Sequence, residues 1–167
     1  LGGAGAGGAL GGPFTRLDTE GEAVTDVDVI TDPTLIYFGY TFCPDVCPLD
    51  VVRNADAIDL LAEDGQSVTP MFISIDPERD TPDVMAEYAE IMHENMIALT
   101  GSPEQIKATS MAYKTFYQRL PVDDEFYLVK HSTLSFLVFP EEGVVSFFTR
   151  DLRPEQLADQ IDCYLSA

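Results

Sequence analysis

Cys43 and Cys47 stand in "TFCPDVCP", residues 41–48, each followed by a proline. Two thiols at this spacing can form a redox pair, a metal clamp, or both. The run before them, "TLIYFGY" (34–40), is continuously apolar and aromatic and reads as a strand buried on both faces. The run after them reads as a helix. Thiols placed between strand and helix meet the free N–H groups and the positive dipole end of that helix, which favour a thiolate. Pro48 suits a first helical position, where a missing N–H costs nothing. Three residues, Pro44, Asp45 and Val46, separate the cysteines. Such a loop can close a disulfide or aim both sulfurs at one ion, and two thiolates favour a soft one, Cu(I) above all. Two cysteines serving only as small buried hydrophobes would not need this placement.

The elements that position the pair follow from periodicity and punctuation. "PFTRLDTEGEAVTD" reads as two short strands around a turn at Glu20-Gly21. Leu49, Val52, Ala55, Ile58 and Leu61 are expected to line one side of a helix that ends before Gly65. "VTPMFISI" (68–75) is a second buried strand. Thr81 caps the next helix, with Pro82 in its first turn and Val84, Met85, Tyr88, Ile91 and Met92 on its apolar side. "IALTG" (97–101) is strand-like, and Ser102 to Gln105 resembles a capping box. A looser region begins at "FYLVK" (126–130). "STLSFLVF" (132–139) and "VVSFF" (144–148) flank a "PEEG" hairpin connection, and a last helix carries Leu157, Ile161 and Tyr164. Strands alternating with helices predict an α/β fold, a central mixed sheet covered by helices on both faces. Parallel strands early and an antiparallel hairpin late give the thioredoxin-like arrangement, here with an N-terminal β-hairpin.

In such a sheet the start of the strand after His131 lies beside the cysteine loop. His131 is therefore the candidate third ligand, and an imidazole also helps to hold Cu(II). His93 sits near a helix C-terminus, where a cation is welcome, and reads as structural. Cys163 falls off the apolar side of the last helix and reads as an exposed thiol. Most of the five methionines fall at core-like positions, which gives no second, methionine-based copper site.

The bulk numbers bound the rest. The 167 residues fit one domain, residues 13–167, and 46% of them are hydrophobic. Nine Lys and Arg face 29 Asp and Glu, a net charge of −20, so a phosphate backbone is repelled and nucleic-acid binding is excluded. Three cysteines cannot all pair within one chain, so they do not form a disulfide framework. Residues 1–12, with seven glycines and no charge, read as a flexible linker left after an anchor or signal.

Taken together, "YFGYTFCPDVCP", "FISIDPERDTP", "LTGSPEQI" and "YLVKHSTLSFLVFP" resemble the Sco/SenC family over about residues 13–165. The resemblance implies a monomeric thioredoxin-like domain, membrane-tethered at its N-terminus, on the periplasmic side of the bacterial inner membrane. It implies one copper ion, Cu(I) or Cu(II), held by Cys43, Cys47 and His131. It implies a metallochaperone for the CuA centre of cytochrome c oxidase subunit II, with another copper chaperone or a thioredoxin-like reductase as a further partner. It assigns Asp76, in "SIDPERD", a supporting role.

Two positions depart from the family pattern. Phe42 stands where many members have His, and Lys130 stands where an acidic residue is common. A cation beside a Cu(I)–dithiolate of net charge −1 is expected to favour Cu(I). The rival reading is a thiol–disulfide oxidoreductase, with Cys43 and Cys47 as its redox pair, one attacking a partner disulfide and the other resolving it. A peroxidase is disfavoured because no arginine is evident near the cysteine loop; Arg53 is a helical turn away.

Overall fold

A computed structural model of the chain describes residues 10–42, 46–115, 117–119 and 129–166; of Val46, Cys47, Arg119, Val129 and Lys130 it describes only the backbone. The expected glycine linker therefore falls mostly outside the described residues, as do Cys43, the side chains of Cys47 and Lys130, and residues 120–128.

The fold is built around β3 (Thr34–Gly39), whose six residues are all buried. β4 (Thr69–Ser74) and β5 (Ile97–Leu99) lie parallel on one side of it, and β8 (Ser135–Phe139) and β9 (Gly143–Phe148) lie antiparallel on the other, in the order β5-β4-β3-β8-β9. This is the expected mixed sheet. α2 (Val46–Glu63) and α5 (Pro154–Leu165) pack on each other over one face, around Leu35, Leu61, Leu137, Leu157 and Ile161. The other face is covered by α3 (Pro82–Met92), α4 (Pro103–Tyr113) and the hairpin of β1 (Thr15–Leu17) and β2 (Ala23–Thr25), around Phe14, Ile36, Phe38, Met85, Ile106 and Phe136. Each fully buried side chain of this size contributes about 1.5–3 kcal/mol. A strand lined by them on both faces makes a rigid floor for whatever sits at its end.

The caps are those expected. The Thr81 hydroxyl accepts from Val84 N–H at 3.4 Å. Ser102 and Gln105 exchange the two hydrogen bonds of a capping box, 3.1 and 3.0 Å. Gly65 follows α2 with a φ of +78°, which only glycine adopts freely.

Three expectations need correction. Ala55, Ile58 and Leu61 are buried, but Leu49 and Val52 are 65% and 47% exposed. A three-residue step falls short of a full helical turn, so four such steps wander about 240° around the axis. Ile91 is 71% exposed for a related reason: Met85 and Ala89 already face the sheet. A single-turn helix, α1 (Asp26–Val29), capped by Thr25, follows the expected hairpin. β7 (Val129–His131), in what read as the looser region, pairs with β6 (Tyr117–Arg119) in a small two-stranded sheet, and β8 starts only at Ser135.

Candidate metal and thiol site

β3 runs straight into the cysteine segment. Beyond Gly39 the chain passes through buried Tyr40, half-buried Thr41 and exposed Phe42 before reaching Cys43, and α2 opens at Val46. Cys47 is thus in the first turn of α2, as expected, and Pro48 is its third residue rather than its first. That position still lies among the four whose N–H groups lack an intrahelical acceptor.

His131 closes β7, where it pairs with Tyr117. Its ring packs edge-on against Tyr40 at 5.8 Å and against Tyr37 at 6.1 Å between centroids. The imidazole is thereby set against the carboxyl end of the strand that leads to Cys43. Its Nδ1 lies 2.7 Å from the Ser132 carbonyl oxygen. That oxygen can only accept, so in the neutral ring the proton resides on Nδ1 and the lone pair on Nε2.

Tyr37 links this imidazole to the helix. Its hydroxyl donates to Asp50 at 2.6 Å, and Asp50 also accepts from Arg150 Nε at 3.1 Å. Asp50 is three residues beyond Cys47 and 2% exposed. One tyrosine therefore touches the histidine with its ring and the first turns of α2 with its hydroxyl.

The turn after β4 holds the other side. Asp76, the residue given a supporting role, accepts from Arg79 Nε at 2.7 Å. The Arg79 guanidinium in turn lies 5.5 Å over the Tyr40 ring and 4.7 Å over the Phe42 ring. Asp80 is fully buried and accepts from Thr41 N–H (3.1 Å), Thr41 Oγ1 (2.5 Å) and Ser74 Oγ (2.6 Å). Burial pushes its pKa up despite these bonds, and Asp76 nearby adds to the rise. Neither Asp80 nor Arg79 stood out in the sequence beyond their place in "SIDPERD". Two acids four apart after a buried strand were visible, but not which hydroxyls they serve. Arg79 also supplies the guanidinium at the cysteine segment that the sequence did not reveal, which removes that reason for setting a peroxidase aside.

The remaining candidates lie elsewhere. Arg53 bonds Asn54 and the carbonyls of Thr149 and Leu152, and burial lowers its pKa. His93 caps α3 and sits 2.9 Å from Asp59. Cys163 is exposed. The backbone of Lys130 pairs with Gln118.

The profile of the SCO1/SenC family matches residues 3–166. This chain belongs to the SCO1/SenC family. It is 52% identical over 158 residues to Protein SenC of Rhodobacter capsulatus, covering 95% of this chain and 72% of that protein. It is 40% identical to the mitochondrial SCO1 homolog 1 of Arabidopsis thaliana, covering 92% of this chain but only 46% of that longer protein. The crystal structure of Arabidopsis thaliana ScoI with copper bound superposes with a TM-score of 0.90 at 38% identity, over 95% of this chain and 99% of that one.

Proposed function

We propose that this SCO1/SenC domain captures one copper ion with Cys43, Cys47 and His131 and passes it by ligand exchange to thiolates of an assembling cytochrome c oxidase, at the CuA centre of subunit II. Copper is cargo here, so no substrate turnover is required. The observation that carries the reading is the placement of His131. Its ring is wedged against the end of the strand that leads to Cys43, with Nδ1 committed to a carbonyl and the lone pair on Nε2. Two thiolates and one imidazole form a donor set that holds Cu(I) and tolerates Cu(II). The relative solved with copper bound supports the same cargo. We place the domain on the periplasmic face of the inner membrane, held by an N-terminal tether. Among the described residues no helix is long and apolar enough to cross a membrane.

A second reading is favoured by the position of Cys47 in the first turn of α2. A thiolate stabilised there can exchange with a partner disulfide, and the domain would then reduce the cysteines of the CuA site before or beside copper delivery.

Anaerobic titration of the reduced protein with copper decides between them. Wild type is expected to bind one ion per chain, and His131→Ala to lose copper while keeping disulfide exchange. Retention of copper by His131→Ala at wild-type affinity would refute the three-ligand carrier.

A further inference from the structure

We propose that the Asp76–Asp80 turn is a positioning device for the cysteine segment, with Asp80 as its principal residue. The inference rests on the reading of Cys43 and Cys47 as working thiols, but not on what they carry. Three residues, Tyr40, Thr41 and Phe42, separate the buried end of β3 from Cys43, and the last two are held from the β4 side. Thr41 is bonded at its backbone N–H and at its hydroxyl by one carboxylate. Phe42 lies under the Arg79 guanidinium, itself fixed by Asp76. Asp80 is anchored in its own right. Its N–H donates to the Asp76 carbonyl at 2.9 Å, its carbonyl accepts from Thr100 Oγ1 at 2.6 Å, and its carboxylate accepts from Ser74.

The ends of β4 and β5 thus converge on one buried residue, whose backbone carbonyl is held by Thr100 and whose carboxylate grips the chain that enters the cysteine loop. A buried acid costs stability unless its bonds return it. A loop whose root is fixed spends less freedom when its two sulfurs meet, either on each other or on one ion. Asp80 is a positioning residue, acting through Thr41.

The test reads the apo protein first. The Cys43–Cys47 disulfide is equilibrated with glutathione: disulfide plus two thiols gives dithiol plus oxidised glutathione. Asp80→Ala is expected to make the disulfide about tenfold easier to reduce, about 30 mV, and to speed hydrogen exchange at the Thr41 amide at least tenfold. Asp80→Asn keeps an acceptor for that N–H and is expected to stay within twofold of wild type. Thr41→Val, which retains the N–H, falls between. Ser102→Ala, which removes the cap of α4 without removing a bond of the clamp, controls for general loss of stability and is expected to leave the disulfide equilibrium unchanged.

If Asp80→Ala shifts that equilibrium no more than Ser102→Ala does, or if Asp80→Asn is as disruptive as Asp80→Ala, the positioning role is overturned. Should Asp80→Ala fail to fold, Thr41→Val and Arg79→Lys carry the same comparison. Cu(I) affinity measured by competition with a chromophoric chelator is the second readout, expected to fall about tenfold in Asp80→Ala. A wild type that takes up no copper would sink the carrier reading, while the disulfide equilibrium would still decide the clamp.

Discussion

The two ends of the central sheet are built from different materials. At the carboxyl end of β3, polar groups crowd around buried carboxylates: Asp50 with Tyr37 and the exposed Arg150, Asp80 with Thr41 and Ser74, Asp76 with Arg79. Arg16, 1% exposed, bonds the carbonyls of Ser74 and Thr100 and the hydroxyl of Thr109. At the amino end of β3 lies a cavity of about 630 Å³ whose walls include Leu10, Ile30, Tyr113, Val138, Phe139 and Val144. One end is fixed by hydrogen bonds with defined directions, the other by packing. A buried polar group that misses its partner costs more than a made bond returns, so such clusters admit few arrangements. In open α/β sheets sites form at the carboxyl ends of strands, and there the rigidity serves geometry.

That contrast can be broken most sharply at the site itself. Cys47→Ala is expected to weaken copper binding by at least about 100-fold, more than the 10–100-fold typical of an outer-shell change. The thermal midpoint is expected to move little, because the described bonds of the buried polar clusters run between other residues. Isothermal titration of the reduced protein alongside a melting curve separates the two effects. A large loss of stability would mean that the thiol pair supports the fold as well as the site.

Arg16→Met tests the polar end where it carries structure. The substitution keeps most of the volume but removes three hydrogen bonds from a guanidinium whose pKa burial has already lowered to about 10. The expected cost is roughly 2–4 kcal/mol, read from urea unfolding. A cost below about 0.5 kcal/mol would show that water replaces the guanidinium, and that this end is less rigid than its bonds imply.

Gly11→Ala probes the opposite end. Gly11 has a φ of +83°, and an added Cβ would lie 2.6 Å from Val144 Cγ2. The N–H of Gly11 also donates to the Ala112 carbonyl at 2.7 Å, so the packed body begins within the glycine run. Strain and overpacking together predict a loss of about 1–3 kcal/mol with copper affinity unchanged. Altered affinity would show that the two ends are coupled through the sheet.

The sequence showed the two ends unequally. The sheet was legible because β3, β4 and β8 are apolar runs bounded by turn residues, a signal that survives without contacts. Thr81 and Ser102 were legible as caps because capping is local in the chain. Cys43, Cys47 and His131 could be named because their side chains carry the chemistry directly. Asp80 and Arg79 could not, because their meaning lies in bonds to Thr41 and in stacking on Phe42, across more than 35 residues. The exposed side of α2 was misread because a three-residue spacing approximates a stripe only over a short stretch. β6–β7 was missed because strands of three residues carry almost no periodicity.

The smallest expected effect concerns pH and bears on the same carboxylate. The folded pKa of Asp80 is raised above its ordinary value of 3.8, first by burial. Between 3.8 and the raised value the folded chain therefore holds more proton on this group than the unfolded chain does. Stability contributed by the protonated form is full below the unfolded value and is lost as pH rises through the folded one. Asp80→Asn cannot ionise and escapes that loss. The variant is thus expected to gain on wild type as pH rises above about 4, by a few degrees at most, when melting midpoints are compared in one buffer series. A variant that instead loses ground as pH rises would mean that the ionised carboxylate is stabilised by its three donors more than burial penalises it. Asp80 would then belong with the groups that hold the fold, and the division between a stabilising end and a positioning end would have to be redrawn at Thr41.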